Sequence, residues 1–262
     1  MKELTVALNA IKRSSKAIRG KYGQSFKITT KRGNQKDLCT EADILAEKII
    51  INTIKKSFPD HHIIAEESGD NKTDSDYIWI IDPLDGTKNF VHQISCFVCS
   101  IALVKQNQII LGVISDPINN KTYWAEKGQG AYLNNKKIFV SQTKQLEQSF
   151  GIAEWWSRQP EYKERGIKIF NELSLTMSSV RYLSGTAWSL THLAEGLVDI
   201  VTCDTTLLDI AASIIIIKEA GGLITDHKGG EIQPFDMSIK RIVASNPNLH
   251  KQVLNIVNQI YK

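Results

Sequence analysis

Residues 77–90 read YIWIIDPLDGTKNF, and everything else in the chain is interpreted from this stretch. Ile78, Trp79, Ile80 and Ile81 form a short run of β-branched and aromatic residues, which predicts a buried strand. Two carboxylates follow three residues apart, Asp82 and Asp85, with Pro83 expected to end the strand and Gly86 to free the backbone behind the second acid. An unpaired carboxylate buried this near a core strand costs several kcal/mol, so it must be protonated, matched to a base or bound to a metal. No Arg lies nearby and Lys88 is the only local cation. Oxygen-only ligands favour a hard ion, Mg2+ before Zn2+ or Cu2+. Asp-Pro or Asp-Gly alone would suggest only an acidic turn; DPLDGT directly behind IWII points to a cation.

The chain has 262 residues, long for one domain and short for two ordinary ones, which predicts one unit of two intimately packed halves meeting near the polar stretch 141–147. Hydrophobic residues make up 42% and charged residues 23%, the profile of a soluble globular protein. The net charge is +4 with Lys and Arg scattered, so nucleic acid is not an expected partner and an anionic small molecule is. The N-terminal stretch carries charges inside every apolar segment, unlike a signal peptide, and the longest apolar run, 210–217, is too short to span a bilayer. The expected location is the cytoplasm, with no membrane partner. Cys96 and Cys99 have the spacing of a redox or zinc pair. A strand over 95–104 would point residues i and i+3 to opposite faces, so reduced core thiols are expected here and at Cys39 and Cys203.

Upstream of the central stretch, Leu4, Ala7, Leu8, Ile11 and Ile18 recur at helical spacing, predicting an amphipathic helix over 3–19 closed by Gly20 and Gly23. A strand is expected over 26–30, then a polar, mobile loop over 31–36. Asp37-Leu38-Cys39-Thr40-Glu41-Ala42-Asp43 opens a helix running to about Ser57, with Thr40 as N-cap and acids in the first turn, where the helix dipole favours them. That chemistry alone makes Asp43 structural. Ile63-Ile64-Ala65 is a short strand delivering Glu66-Glu67-Ser68-Gly69. Two neighbouring strands would therefore bring Glu66 and Asp82 together at one sheet edge, where open α/β structures place their sites.

Downstream, strands over 95–105 and 109–115 joined through Gln106-Asn107-Gln108, and strands over 121–125 and 131–140, extend the same sheet. The second half opens with a strand over 149–153 and a loop holding Trp155 and Trp156, which would line a pocket or subunit contact, or pack on a neighbouring loop. A helix over 166–173 and a strand over 180–182 come next. Gly185-Thr186-Ala187 then opens a helix to Ala194; its N–H groups suit an anion or hydroxyl ligand, and capping explains the residues equally well. Beyond a strand over 197–201, Asp209 starts a helix that Gly221 ends; an N-cap role explains the residue type, and a metal better explains a carboxylate at the end of a buried helix. That helix is apolar almost all round and must be buried, its Asp209 with it. Strands over 223–225 and 242–245 and a helix over 249–261 complete the chain.

Four motifs, in this order, make the chain resemble the inositol monophosphatase family of Mg2+-dependent phosphatases over nearly its whole length. They are Asp37-Leu38-x-Thr40-x-x-Asp43, Glu66-Glu67-Ser68, Asp82-Pro83-Leu84-Asp85-Gly86-Thr87, and Asp209-Ile210-Ala211-Ala212 running to Glu219-Ala220-Gly221-Gly222. The resemblance implies an α/β (α+β) fold, a layered α-β-α-β-α sandwich of the inositol monophosphatase and fructose-1,6-bisphosphatase type. It implies one catalytic domain over 1–262, with halves of about 1–143 and about 144–262, and a homodimer. Glu66, Asp82 and the Leu84 carbonyl would hold one Mg2+; Asp82, Asp85 and Asp209 would hold a second; a weaker third is expected near Glu66 through waters. Thr87, oriented by Asp43, would polarise the attacking water, which moves Asp43 from helix chemistry to catalysis beside Glu66. Asp85, Gly86, Thr87, Gly185, Thr186, Ala187 and Asp209 would contact the substrate, and the 31–36 loop would order over the site. A phosphate ester repels hydroxide and has a poor alkoxide leaving group, and paired metals answer both barriers without a covalent intermediate.

Two departures bear on the substrate. Leu208 stands where the family usually has an aromatic residue, and Thr202 stands where inositol-binding members commonly have Glu, seven residues before the last metal-binding Asp. Asp204 could substitute from the same loop. The implied activity is a phosphomonoesterase on inositol 1-phosphate or a related small sugar or polyol phosphate. Fructose 1,6-bisphosphate, histidinol phosphate and adenosine 3′,5′-bisphosphate stay open as substrates, and a regulatory binding protein of the same fold is the reading from a different class.

Overall fold

Residues 78–81 form a continuous apolar run rather than an alternating one because their strand is covered on both faces. The structure, a computed structural model, describes residues 2–25, 27–30, 38–155, 159–238 and 240–261. Helix α1 (Lys2–Lys21) is followed by a two-stranded ribbon, β1 (Ile28–Thr30) with β2 (Leu38–Thr40). Helix α2 (Glu41–Ser57) leads to β3 (His62–Ala65), β4 (Gly69–Asp70), β5 (Tyr77–Asp85) and the short α3 (Thr87–Val91). With β6 (Val98–Lys105), β7 (Gln108–Asp116), β8 (Lys121–Glu126), β9 (Gly130–Leu133) and β10 (Lys136–Ile138), an eight-stranded sheet forms in the order β10-β9-β8-β7-β6-β5-β3-β4. The second half runs β11 (Phe150–Ala153), α4 (Pro160–Thr176), β12 (Ser179–Arg181), α5 (Thr186–Ala194), β13 (Ile200–Thr205), α6 (Leu207–Glu219), β14 (Leu223–Asp226), β15 (Lys240–Ser245) and α7 (His250–Ile260). Its five-stranded sheet has the order β12-β11-β13-β15-β14.

Strand alternation sorts the core into three slabs. Trp79 and Ile81 pack with α1 and α2, whereas Ile80 between them packs with α5 and α6. Across the second sheet Val201 and Ile242 face α5 and α6, whereas Ile200 and Val243 face α4 and α7. The layers are therefore α1/α2, eight-stranded sheet, α5/α6, five-stranded sheet and α4/α7, the α-β-α-β-α sandwich that the resemblance implied. As part of the middle layer, α6 is buried all round, and Ile214 to Ile217 are each at most 4% exposed.

Several boundaries differ from the sequence reading. Pro83 does not end β5: the strand continues to Asp85 with a register shift between Asp82 and Asp85, and a bulge is a place where a strand tolerates proline. The 131–140 strand is a hairpin, β9 and β10, turned at Asn134. β6 starts at Val98, so Cys96 is outside it and the opposite-faces argument does not apply. All four cysteines are nevertheless free, and burial pushes the Cys99 thiol up to about 12. β13 runs 200–205 rather than 197–201 because the N–H groups of Leu197 and Val198 close the end of α5 by bonding to the His192 carbonyl. The Trp155 ring lies 4.1 Å from that of Tyr182, tilted by 33°, and edge-on to Phe170. Trp156, Phe26, Asp37 and the 31–36 loop lie outside the described residues. Among the described residues no helix is long and apolar enough to cross a membrane.

Candidate active site

Parallel pairing of β3 with β5 sets the first part of the site. Ala65 is in register with Ile81, and the Glu66 N–H extends the ladder by donating to the Ile81 carbonyl at 3.1 Å. Glu66 thus stands beside Asp82, on the side of the sheet opposite Ala65 and Ile81 and toward α6. Asp82 is 1% exposed, and the Glu66 charge bears on it. After the bulge, Gly86 adopts φ +89° to turn into α3, and a Cβ there would stand 2.7 Å from the Cys96 carbonyl oxygen, so the position requires glycine twice over.

Two helix N-termini supply further acids through one repeated pattern. In Thr40-Glu41-Ala42-Asp43 and in Thr206-Leu207-Leu208-Asp209, a threonine precedes the helix and an aspartate occupies its third position. Asp43 Oδ2 accepts from the Thr40 N–H at 2.7 Å and its hydroxyl at 2.5 Å. Asp209 Oδ2 accepts from the Thr205 hydroxyl at 2.7 Å and the Thr206 N–H at 3.2 Å. Thr206, not Asp209, is therefore the N-cap of α6, and Asp209 is only partly buried. Asp43 uses its second oxygen differently. The Thr87 hydroxyl lies 2.9 Å from Asp43 Oδ1 and 3.0 Å from the Leu84 carbonyl; it has one proton, and the charged acceptor takes it. The Leu84 carbonyl is then left able to accept from something else.

The second half closes on this cluster through α5. Asp85 Oδ2 accepts from the N–H groups of Ala187 at 2.8 Å and Trp188 at 3.4 Å. The Gly185 N–H goes to Glu154 at 3.3 Å. These N–H groups, suited in sequence to an anion or hydroxyl ligand or to capping, are engaged by protein carboxylates, and the Thr186 hydroxyl also turns to Glu154, at 3.4 Å. Asp204 does not replace the missing Glu: it forms a buried ion pair with Arg241 at 2.5 Å. Thr202 is fully buried in β13 on the Ile200 face, turned toward α4 and α7 and away from Asp209.

Two buried acids that brace this cluster escaped the sequence reading. Glu47 accepts from the N–H groups of Glu67 and Ser68, both at 2.8 Å, and so shapes the turn that presents Glu66. Its signal was an acid four residues after Asp43 on the apolar face of α2, among Ala46 and Ile50. Glu154 follows Ala153 at the end of β11, as Glu66 follows Ala65 at the end of β3 and Asp82 follows Ile81 at the bulge of β5. The pattern that exposed two acids repeats at the third.

The electrostatics identify a site that wants positive charge. Burial pushes the Asp82 carboxyl well above the ordinary carboxylate range, and the charges of Glu66, Asp85 and Asp209 push it further. Asp85 is raised by burial, then by Asp209 and Glu154. Asp43 is raised to about 6 by burial, against the hydrogen bonds from Thr40 and Thr87 that lower it. Among the described residues no three acidic, His or Cys side chains close into a finished metal cage. The donor set is chemically suited to a hard divalent ion all the same: carboxylate and carbonyl oxygens only, the carboxylates mutually repelling.

Comparisons with known proteins agree with this fold. Residues 1–262 match the inositol monophosphatase family. The chain is 37% identical to the fructose-1,6-bisphosphatase/inositol-1-monophosphatase of Thermotoga maritima, covering 91% of this chain and 89% of that one. It is 33% identical to the Nus factor SuhB of Salmonella typhimurium, covering 96% and 94%. The crystal structure of the extragenic suppressor protein suhB from Bartonella henselae superimposes with a TM-score of 0.92 at 30% identity, covering 99% of both chains.

Proposed function

Because this chain belongs to the inositol monophosphatase family, we propose that it is a Mg2+-dependent phosphomonoesterase acting on inositol 1-phosphate or a related small sugar or polyol phosphate. The observation that carries the reading is the Glu66–Asp82 pair: Asp82, 1% exposed, lies on the strand beside the one that leads into Glu66, and its carboxyl is raised by burial and then by the charges of Glu66, Asp85 and Asp209. Such an arrangement is stable only with a shared proton or a cation.

In this reading Glu66, Asp82 and the Leu84 carbonyl hold one Mg2+, and Asp82, Asp85 and Asp209 hold a second, with a weaker third near Glu66. Mg2+ held by these residues would offset the carboxylates, activate water and neutralise the leaving oxygen. Asp43 draws the Thr87 proton toward itself, which leaves the Thr87 oxygen lone pairs to receive and orient a water proton. Above about pH 6, where Asp43 is ionised, that orientation is secured. Gly86 and Thr87, opening α3, and Gly185, Thr186 and Ala187, opening α5, flank the substrate. The two sheets are halves of one catalytic domain, the location is the cytoplasm and the assembly a homodimer.

The test is phosphate release from inositol 1-phosphate, fructose 1,6-bisphosphate, histidinol phosphate and adenosine 3′,5′-bisphosphate, with and without Mg2+, by the wild type and Asp85→Asn. Mg2+-dependent release lost in the variant supports the reading, and the preferred ester names the substrate. No release from any ester by folded, Mg2+-bound protein sinks it. A regulatory role is the second reading, favoured by the name of the Salmonella relative. It predicts a cellular effect that survives Asp85→Asn and Asp209→Asn.

A further inference from the structure

Glu154 is a buried acid that the chemistry above leaves unused. It follows β11, and the alternation that sends Ile152 into the core beneath α5 and α6 brings the Glu154 side chain to the same side. It is 3% exposed, and its main chain is pinned twice: the N–H donates to the Thr202 carbonyl at 2.7 Å, and the carbonyl accepts from Arg241 at 2.7 Å. That guanidinium is itself locked on Asp204. No ion pair satisfies the carboxylate among the described residues. Its bonds go instead to the opening turn of α5: Oε1 accepts from the Ser189 hydroxyl at 3.0 Å and the Gly185 N–H at 3.3 Å, and Oε2 from the Thr186 hydroxyl at 3.4 Å.

The next N–H groups of the same turn, those of Ala187 and Trp188, are the ones that hold Asp85 Oδ2. One turn of backbone is thus gripped from the second sheet by Glu154 and in turn grips an acid of the first sheet. The turn has no slack, since a Cβ at Gly185 would stand 2.6 Å from the Cys96 carbonyl oxygen. We propose that Glu154 is a positioning residue that, by fixing the first turn of α5, sets the orientation in which Asp85 presents its other carboxylate oxygen to Mg2+. This rests on the phosphatase reading. Glu154 acts through α5 and not by touching metal or substrate.

A positioning role differs from a purely electrostatic one. Glu154→Asp keeps the charge but withdraws it by one methylene from the three donors, whereas Glu154→Gln keeps the reach and loses the charge. The experiment is Mg2+ binding by calorimetry on the full chain without substrate, followed by phosphate release against Mg2+ concentration. It compares the wild type with Glu154→Asp, Glu154→Gln and Glu154→Ala, with melting temperatures recorded. Glu154→Asp and Glu154→Ala are expected to weaken Mg2+ binding about tenfold and to raise the half-saturating Mg2+ concentration in proportion. Glu154→Gln is expected to fall between them and the wild type. Wild-type affinity in Glu154→Asp with loss in Glu154→Gln overturns positioning in favour of charge, and wild-type affinity in Glu154→Ala overturns any role toward Asp85. Should Glu154→Ala fail to fold, Ser189→Ala loosens the same grip with the acid intact and is expected to weaken Mg2+ about threefold. Wild-type affinity in both Ser189→Ala and Glu154→Asp overturns the proposal. A wild type that takes up no Mg2+ defeats the phosphatase reading itself, before any variant is compared.

Discussion

Replacing Asp43 with Asn should make the protein more stable at neutral pH and less active. Asp43 is fully buried, and its carboxyl is raised from 3.8 to about 6 because burial outweighs three hydrogen bonds. The folded state therefore holds the proton more tightly than the unfolded chain, so the stabilisation is fully present below pH 3.8 and is lost as pH rises through about 6. The whole shift corresponds to about 3 kcal/mol, of which about 2 kcal/mol falls between pH 4.5 and pH 8. Asn carries no such cost. Its amide oxygen can take the Thr40 donors, and its amide N–H2 can donate to Thr87, whose own proton then turns to the Leu84 carbonyl 3.0 Å away. The hydroxyl is reversed and the carbonyl assigned to Mg2+ is occupied. Urea unfolding of both proteins in metal-free buffer at about pH 4.5 and about pH 8 measures the effect as a difference of differences, in which every other titration cancels. Asp43→Asn should gain about 2 kcal/mol on the wild type between the two, while phosphate release falls. Parallel pH profiles within about 0.5 kcal/mol would refute the argument that Asp43 is held ionised against its burial.

Two further outcomes follow from the packing. Gly86→Ala forces a side chain onto φ +89° and against the Cys96 carbonyl, whereas Gly69→Ala meets φ +78° with open space around it. Thermal unfolding should show a loss of about 1 kcal/mol for Gly69→Ala and a clearly larger one for Gly86→Ala, the excess being the clash; equal losses would mean that the bulge behind β5 yields. Arg241→Met strands the buried Asp204 and should cost about 3–5 kcal/mol in urea, largely recovered by adding Asp204→Leu. A single-variant cost below about 1 kcal/mol would show that the pair is not closed to solvent.

The chain by itself determined the elements and the acids at their ends. A continuous apolar run at 78–81 specifies a buried strand, and an all-round apolar 210–217 specifies a buried helix, because residue type and period carry that much. Thr40 could be read as a cap for the same reason: capping joins residues two or three apart. The same Thr-x-x-Asp at 206–209 carried the equivalent information, although there the aspartate looked like the cap. Tertiary structure alone decided which acids meet and which are spent elsewhere. Glu66 stands beside Asp82 through the register of β3 on β5, and Asp85 finds its N–H donors on α5, 102 residues away. Asp204 looked available in sequence and was lost to Arg241, and Thr202 was turned away from the site by strand parity. Glu154, marked in the chain only by its place behind a strand, was brought to the α5 turn by the packing of one sheet over the other. Local chemistry is legible because its partners are neighbours in the chain. Pairings between layers are not, because many partners satisfy an acid equally well until packing leaves one within reach.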